Sequence, residues 1–134
     1  MSAAGSAQSA FFPGRAAIDS YGNGGFRFAG MSHRGSLLLL PSGIHGWAVT
    51  SMDELTGDAL AVDKLGLVFT ERPQVSLLLL GTGEQIVQPP RSLVKALTAV
   101  GIGLEVMDSG AAARTYNVLL AERRPVAAAL LPVD

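Results

Sequence analysis

A run of leucines that ends abruptly in glycine constrains the fold more than any other stretch of the sequence. Residues 75–80 (VSLLLL) are followed at once by Gly81, Thr82 and Gly83. A continuous apolar run of this length before a glycine-rich turn is typical of a strand that is covered on both faces of a sheet. The stretch therefore predicts a buried strand that ends in a tight turn, followed by a helix.

The carboxyl-terminal part of the chain alternates between predicted strands and helices. Pro89 and Pro90 suit the start of a helix, where their missing N–H groups would have no partner anyway, and Gly101 suits its end. The predicted buried face of this helix consists of Leu93, Val94, Leu97 and Val100. Residues 103–107 form a short strand. Asp108 or Ser109 caps a helix that runs to residue 123, and residues 126–131 form a last buried strand. These connections indicate parallel neighbouring strands covered by helices.

The amino-terminal half is rich in predicted strands. Apolar segments flank the cluster Gly22, Asn23, Gly24, Gly25, which predicts a β-hairpin with Phe26 and Phe28 on its buried face. Residues 36–40 (SLLLL) and 44–49 predict two further strands. Ser51 and Glu54 match a capping box, which predicts that a helix begins here. Because Gly57 weakens the middle of such a helix, a first turn followed by a second segment at about residues 58–65 is an equal alternative. The chain is therefore expected to form an α+β domain with a mixed sheet.

Composition limits the classes of function. The chain has 134 residues, of which 49% are apolar, and this suits one globular domain at residues 11–134 behind a flexible tail at residues 1–10. Ten basic residues against 11 acidic ones give a weak overall field, so nucleic acid is not expected as a partner. The tail lacks the pattern of a secretory signal, and the apolar runs are too short for a membrane span. A cytoplasmic location is expected, with membrane contact at most peripheral.

The carboxyl ends of the predicted parallel strands meet at one edge of the sheet, where open α/β sheets bind ligands. Backbone N–H groups at a helix start, together with an arginine, can hold a carboxylate or a phosphate. The candidate ligand-binding residues are Gly81, Thr82, Gly83, Arg91, Asp108, Ser109, Arg114, Tyr116 and Asn117. The alternative is that the glycines only make a turn, that Asp108 or Ser109 is only a cap, and that Arg114 is only solvated.

No catalytic constellation is found in the sequence. The glycine turn is too short for a P-loop and does not fit the dinucleotide pattern, because position 86 is Ile86. His33 and His45 are the two histidines, and the chain has no cysteine, so a metal site would need ligands from distant parts of the sequence. We therefore expect no metal and no cofactor, and an enzyme is the less favoured class. The helix predicted to run to residue 123 ends near Glu122, Arg123 and Arg124. These residues form either a solvated helix end or a basic rim beside an apolar surface that meets a partner.

Several of these segments together resemble a known family. They are SLLLLGTGEQ, the helix start at Pro89 and Pro90, and GLEVMDSGAAARTYNVLLAERRPVAAALLP. The resemblance is to a widespread family of single-domain proteins of unassigned biochemistry, whose mitochondrial members include an assembly factor of respiratory complex I, the NADH dehydrogenase. It runs over about residues 11–132, and Gly81-Thr82-Gly83 and residues 113–119 (ARTYNVL) are its most specific parts.

The resemblance implies a three-layer β+β/α fold with a mixed sheet, and no established catalytic residues to carry over. It also implies a non-enzymatic assembly or adaptor role, with protein partners such as respiratory-complex or membrane-protein assembly components, and allows a homodimer. The sequence lacks an arginine-rich transit segment, which favours a bacterial cytoplasm. The alternative hypothesis is a protein that binds a small anionic ligand or metabolite at the edge described above, with weak enzymatic activity as an extension.

Overall fold

The computed structural model describes residues 12–55, 58–71 and 74–134. The strands are β1 Ile18–Gly22, β2 Gly25–Phe28, β3 Met31–Arg34, β4 Ser36–Leu40, β5 Gly43–Trp47, β6 Leu77–Gly81, β7 Gly103–Met107 and β8 Val126–Leu130. The helices are a 3-10 helix Met52–Leu55, α1 Asp58–Lys64, α2 Gly66–Thr70, α3 Arg91–Ala99 and α4 Ser109–Ala121.

The first three strands form a small antiparallel sheet in the order β1-β2-β3. The turn between β1 and β2 places Asn23 at φ 52° and Gly24 at φ 79°, the left-handed pair that a tight hairpin requires. Phe26 and Phe28 are buried and Arg27 is exposed, which confirms the predicted hairpin and its alternation. Strand β3 was not predicted, because none of its residues is buried and the sequence carries no apolar alternation there.

The other five strands form a mixed sheet in the order β5-β4-β8-β6-β7. Strand β6 pairs in parallel with both β7 and β8, whereas β4 pairs antiparallel with β8 and β5. Every residue of β4 is buried, and so is every residue of β6 after Leu77. Both leucine runs are therefore strands covered on both faces, as their sequences predict.

The five-stranded sheet is the middle one of three layers. Leu38, Leu78, Leu80 and Ala129 point to the face covered by the 3-10 helix and α1 to α3, in one apolar cluster. Alternate residues of the same strands, such as Leu39 and Leu79, join the opposite cluster with α4 and the small sheet. The period of two along each strand produces this division. The α+β class and the β+β/α layering are thus confirmed.

The capping box is partly different from the prediction. The Glu54 carboxylate accepts hydrogen bonds from the backbone N–H groups of Thr50, at 2.8 Å, and Ser51, at 3.2 Å. The Ser51 hydroxyl oxygen accepts from the backbone of Asp53, at 3.2 Å, and not from that of Glu54 as expected. The reason is that the chain here makes a single 3-10 turn, which is tighter than an α-helix. Helix α1 follows as a separate segment, which is the second of the two predicted alternatives, whereas α2 was not predicted.

Helix α3 starts after Pro90 and is followed by Gly101 at φ 83°, in agreement with the sequence. Leu93 and Leu97 are buried, but the assignment of Val94 to the buried face is wrong, since that side chain is 39% exposed. Val94 directly follows Leu93 and so lies about 100° around the helix from it. At α4, the Asp108 side chain accepts from the backbone N–H of Ala111 at 2.8 Å and is the cap.

The start of the described chain is tied to the edge strand β5. Phe12 and Ile44 exchange backbone hydrogen bonds of 2.9 Å in both directions, and the Phe12 ring lies edge-on to that of Phe28. The predicted tail at residues 1–10 lies outside the described residues. Its separation from a single domain at residues 11–134 therefore stays a proposal.

Candidate functional site

The two loops that the sequence places at one edge of the sheet do meet there. Strands β6 and β7 end side by side, and the backbone of Thr82 donates to the Met107 carbonyl at 2.9 Å. The backbone of Ser109 donates to the Gly83 carbonyl at 2.8 Å. The parallel arrangement therefore brings residues 81–83 together with the start of α4, as expected for adjacent parallel strands.

The Ser109 hydroxyl occupies the junction between these loops. Its side chain is fully buried, donates to the Leu131 carbonyl at 2.6 Å and accepts from the backbone N–H of Gly83 at 2.8 Å. One N–H that was expected to face a ligand is thus bound to a neighbouring side chain. The hydroxyl instead joins the ends of three segments: β6, the start of α4 and the residue after β8.

The space beside Gly81 is closed by protein atoms. A Cβ added at Gly81 would lie 2.9 Å from both the Ser109 Cα and a Leu130 methyl carbon. The hydroxyl of Thr82 donates to the Gln85 carbonyl at 2.5 Å and accepts from the backbone N–H of Val87 at 3.1 Å. These contacts stabilise a compact loop and use the polar groups that a ligand would need.

The amino-terminal end of α4 already has an anion next to it. The carboxylate of Asp108 accepts the Ala111 N–H and lies at the positive end of the helix dipole. An anionic ligand at this position would therefore meet a carboxylate of the same sign. The helix start is arranged as a self-capped terminus.

The remaining candidates lie farther along α4 or on another helix. Arg114 donates to the Tyr21 hydroxyl at 2.9 Å. The Asn117 amide accepts from the backbone N–H of Ile18 at 2.8 Å and donates to its carbonyl at 2.9 Å. These contacts attach α4 to strand β1. Arg91 is exposed at the start of α3.

Tyr116 is the largest fully buried side chain among the described residues and belongs to the cluster between α4 and the small sheet. Burial raises the pKa of Tyr116, and the positive charge of Arg15 acts in the opposite direction. Its hydroxyl is buried and has no hydrogen-bond partner among the described residues. Sequence reasoning placed Tyr116 at the ligand edge, whereas the structure places it in the core.

Replacing Tyr116 by phenylalanine is expected to raise the free energy of unfolding by about 1 kcal/mol, because a buried unpaired polar group costs about 1–3 kcal/mol. Urea denaturation measures the change. Tyr21→Phe is the matched control: this hydroxyl accepts from Arg114 and its side chain is 40% exposed, so its removal should change stability by under about 0.5 kcal/mol. A loss of stability in Tyr116→Phe would show that the buried hydroxyl is satisfied.

The histidines lie apart from this edge. The His33 ring is 3.2 Å from the Ser36 carbonyl, and the His45 ring is 3.4 Å from the Ser42 hydroxyl. Burial lowers the pKa of His45, and the carboxylate of Glu71 partly offsets this effect. In the part of the chain that the structure describes, no group of three or more metal-ligating side chains is placed to hold an ion.

Two surface depressions lie away from the predicted edge. One, of about 380 Å³, is formed by the small sheet and is mostly polar, with Ser20, Asn23, Arg27, Ser32, His33 and Arg34 among its lining residues. The other, of about 410 Å³, lies at the opposite edge of the large sheet and combines three arginines with Leu120 and two prolines. None of the nine candidate residues lines either one. In the sequence, the feature that pointed to the second depression was the pair Arg123 and Arg124 at the end of α4.

Comparison with known proteins identifies the family. Residues 18–131 match the family model described as "Protein of unknown function (DUF498/DUF598)". The chain belongs to this family. An uncharacterized protein of Rhodobacter capsulatus is 44% identical to this chain over 123 residues. The match covers 91% of this chain and 89% of the Rhodobacter protein. The resemblance inferred from the sequence motifs is confirmed.

Other relatives of this DUF498/DUF598 member carry a functional name. NADH dehydrogenase (ubiquinone) 1 alpha subcomplex assembly factor 3 of Homo sapiens is 32% identical over 115 residues, which is 86% of this chain and 60% of the human protein. The chain thus spans less than two thirds of that relative. A crystal structure described as an outer membrane protein from Bartonella henselae is 47% identical, with a TM-score of 0.82 over 92% of this chain and 99% of its own.

Across residues 12–55, 58–71 and 74–134, no helix combines the length and the apolar character needed to cross a bilayer.

Proposed function

We propose that this protein is a non-enzymatic assembly or adaptor factor that binds other proteins during the assembly of a respiratory NADH dehydrogenase, complex I. The observation that carries the proposal is the 32% identity to a complex I assembly factor over 86% of this chain. The matched part extends over most of the three layers, so the two proteins share a folded domain and not only a short motif. Partners are accordingly other proteins of the respiratory complex or its assembly, at the cytoplasmic face of the membrane.

The contacts at the predicted ligand edge are compatible with this role. Gly83, Thr82 and Ser109 use their polar groups within the protein, and Asp108 caps the helix that would otherwise attract an anion. Binding of a small anionic ligand at this edge stays a prediction that no contact of these residues favours. Chemical-shift changes at the amides of Gly81 and Gly83 on addition of phosphate or nucleotides would support ligand binding at this edge.

Deletion of the gene in the native host tests the assembly role. We expect the deletion strain to lose most of its fully assembled NADH dehydrogenase, measured by in-gel NADH oxidation after native electrophoresis of solubilised membranes. Reintroduction of the wild-type gene should restore assembly, and the level of another respiratory complex serves as the internal control. Wild-type amounts of assembled enzyme in the deletion strain would contradict the proposal.

The location of the protein is followed in the same strains. Cells that contain a tagged copy are separated into membranes and soluble extract, because the relative from Bartonella henselae is described as an outer membrane protein. Recovery in the soluble extract, with a membrane-bound fraction that increases while the enzyme is being assembled, is the result expected for a peripheral assembly factor.

A further inference from the structure

A depression of about 410 Å³ lies at the edge of the large sheet opposite to the ends of β6 and β7. Its floor includes Leu120 from the last turns of α4, Pro41 after β4 and Pro125 before β8. Pairing of β4 antiparallel to β8 brings these two prolines to the same edge, since Leu39 lies opposite Ala128. These three residues form an apolar floor that combines the α4–β8 connection with the residue after β4.

Three arginines also line this depression: Arg15, Arg123 and Arg124, which we call the arginine rim. Arg124 lies 3.5 Å from the Glu122 carboxylate, and both side chains are more than half exposed, so this ion pair is weak and leaves the guanidinium free to exchange partners. For Arg15 and Arg123, no ion pair with another described residue is found. The rim therefore carries an excess of positive charge beside apolar surface.

The backbone at Arg123 provides a second and independent observation. Arg123 has φ 59°, and its N–H bonds the Leu120 carbonyl while the Arg124 N–H bonds the Leu119 carbonyl. This is the Schellman pattern that ends a helix, and glycine is the usual residue at the left-handed position. Arginine is less favourable there than glycine for the backbone, so the helix end itself does not account for this side chain.

We infer that the depression with its arginine rim is the docking site for a short segment of a partner protein that carries acidic residues next to apolar side chains. The inference rests on the proposed function, which requires a protein partner. Guanidinium groups bind carboxylates in paired hydrogen bonds, and the floor takes up the neighbouring apolar side chains. A free inorganic anion would leave this floor unused, and a net charge of −1 does not favour nucleic acid. The volume suits a few side chains of a peptide segment.

Site-specific photo-crosslinking in the native host tests the docking site. A photoreactive residue replaces Gln74, which is exposed and lines the depression. The matched control position is Val118 on α4, which is 57% exposed and does not line it. We expect a crosslink from position 74 that is absent from position 118, and sequencing of the crosslinked peptide should find Asp or Glu beside apolar residues.

Variants of the rim show whether charge carries the contact. Arg124→Glu should lower the crosslink yield by about tenfold, and reversal of the acidic residue in the partner segment should restore it. Arg123→Gly removes a guanidinium while it improves the backbone fit, so its lower yield cannot be ascribed to unfolding. Lys95→Gln, at an exposed basic residue on α3, should leave the yield unchanged.

Several outcomes would overturn the docking site. These are equal yields at positions 74 and 118, a crosslinked peptide without acidic residues, a crosslink to a second copy of this chain, or a yield that Arg124→Glu does not change. The gene deletion separates this inference from the assembly role. Impaired assembly of NADH dehydrogenase without a crosslink at position 74 removes only the docking site. An acidic, apolar crosslink in a host whose deletion strain assembles the enzyme normally removes only the assembly role.

Discussion

Replacement of Ser109 by alanine is expected to lower the free energy of unfolding by about 3 kcal/mol. The hydroxyl is fully buried, accepts from the Gly83 N–H at 2.8 Å and donates to the Leu131 carbonyl at 2.6 Å. Alanine leaves both backbone groups without a partner in the interior, and each such group costs about 1–3 kcal/mol. Urea denaturation followed by circular dichroism measures the change.

The control for this variant is Ser76→Ala. The Ser76 residue is exposed, and its hydroxyl is 3.3 Å from the Pro125 carbonyl. Water can replace this contact, so we expect a change of under about 0.5 kcal/mol. A Ser109→Ala variant that is no less stable than Ser76→Ala would show that the junction of β6, α4 and the end of β8 does not depend on this hydroxyl.

The burial of two strands on both faces could be predicted because it leaves a direct record in the sequence. The runs at residues 37–40 and 78–80 could not face water on either side, so they had to be central strands. The glycines and asparagine at residues 22–25 likewise specified a turn through backbone angles that few residues adopt. Strand β3 and helix α2 carry no such record. Strand β3 forms through its backbone pairing with β2. Helix α2 is only five residues long, which is too short for a helical pattern to show in the sequence.

The position of the predicted edge followed from topology, but the use of its polar groups did not. Parallel pairing of β6 with β7 was sufficient to bring residues 81–83 to the start of α4. Which partner each side chain takes depends on segments far away in sequence: Asn117 binds the backbone of Ile18, 99 residues earlier, and Arg114 binds Tyr21, 93 residues earlier. No pattern within α4 encodes these contacts, so residues that hold the fold together looked like ligand donors.

Only part of the arginine rim could be predicted from the sequence, for the same reason. Arg123 and Arg124 are adjacent and were noted as a basic end of a helix beside apolar surface. Arg15 joins them from the amino-terminal part of the chain, and Pro41 and Pro125 complete the floor only because β4 and β8 are neighbours. A surface built from four segments requires the sheet order, which the sequence did not specify.

Replacement of Gly81 by alanine is expected to lower the free energy of unfolding by about 2–3 kcal/mol. A Cβ at this position would lie 2.9 Å from the Ser109 Cα and 2.9 Å from a Leu130 methyl carbon. Leu130 could change its rotamer, but the Ser109 Cα is backbone at the first turn of α4. The helix would therefore have to move away from β6, which also lengthens the Ser109 hydrogen bond to Gly83. Denaturation midpoints and hydrogen exchange at Gly83 measure both effects.

Gly110→Ala is the control that separates the close approach of α4 to β6 from a general effect of replacing glycine by alanine. A Cβ there would also come too close to another side chain, since it would lie against the hydroxyl and the adjoining ring carbons of Tyr21. That part of Tyr21 is the end of a 40% exposed side chain that can swing away. Alanine also favours a helix over glycine by up to about 1 kcal/mol, so we expect Gly110→Ala to stay within about 0.5 kcal/mol of the wild type. Equal losses in the two variants would mean that the close approach of α4 to β6 is not what requires glycine at position 81. A loss confined to Gly81→Ala, with faster exchange at Gly83, would locate the constraint at this helix–strand contact.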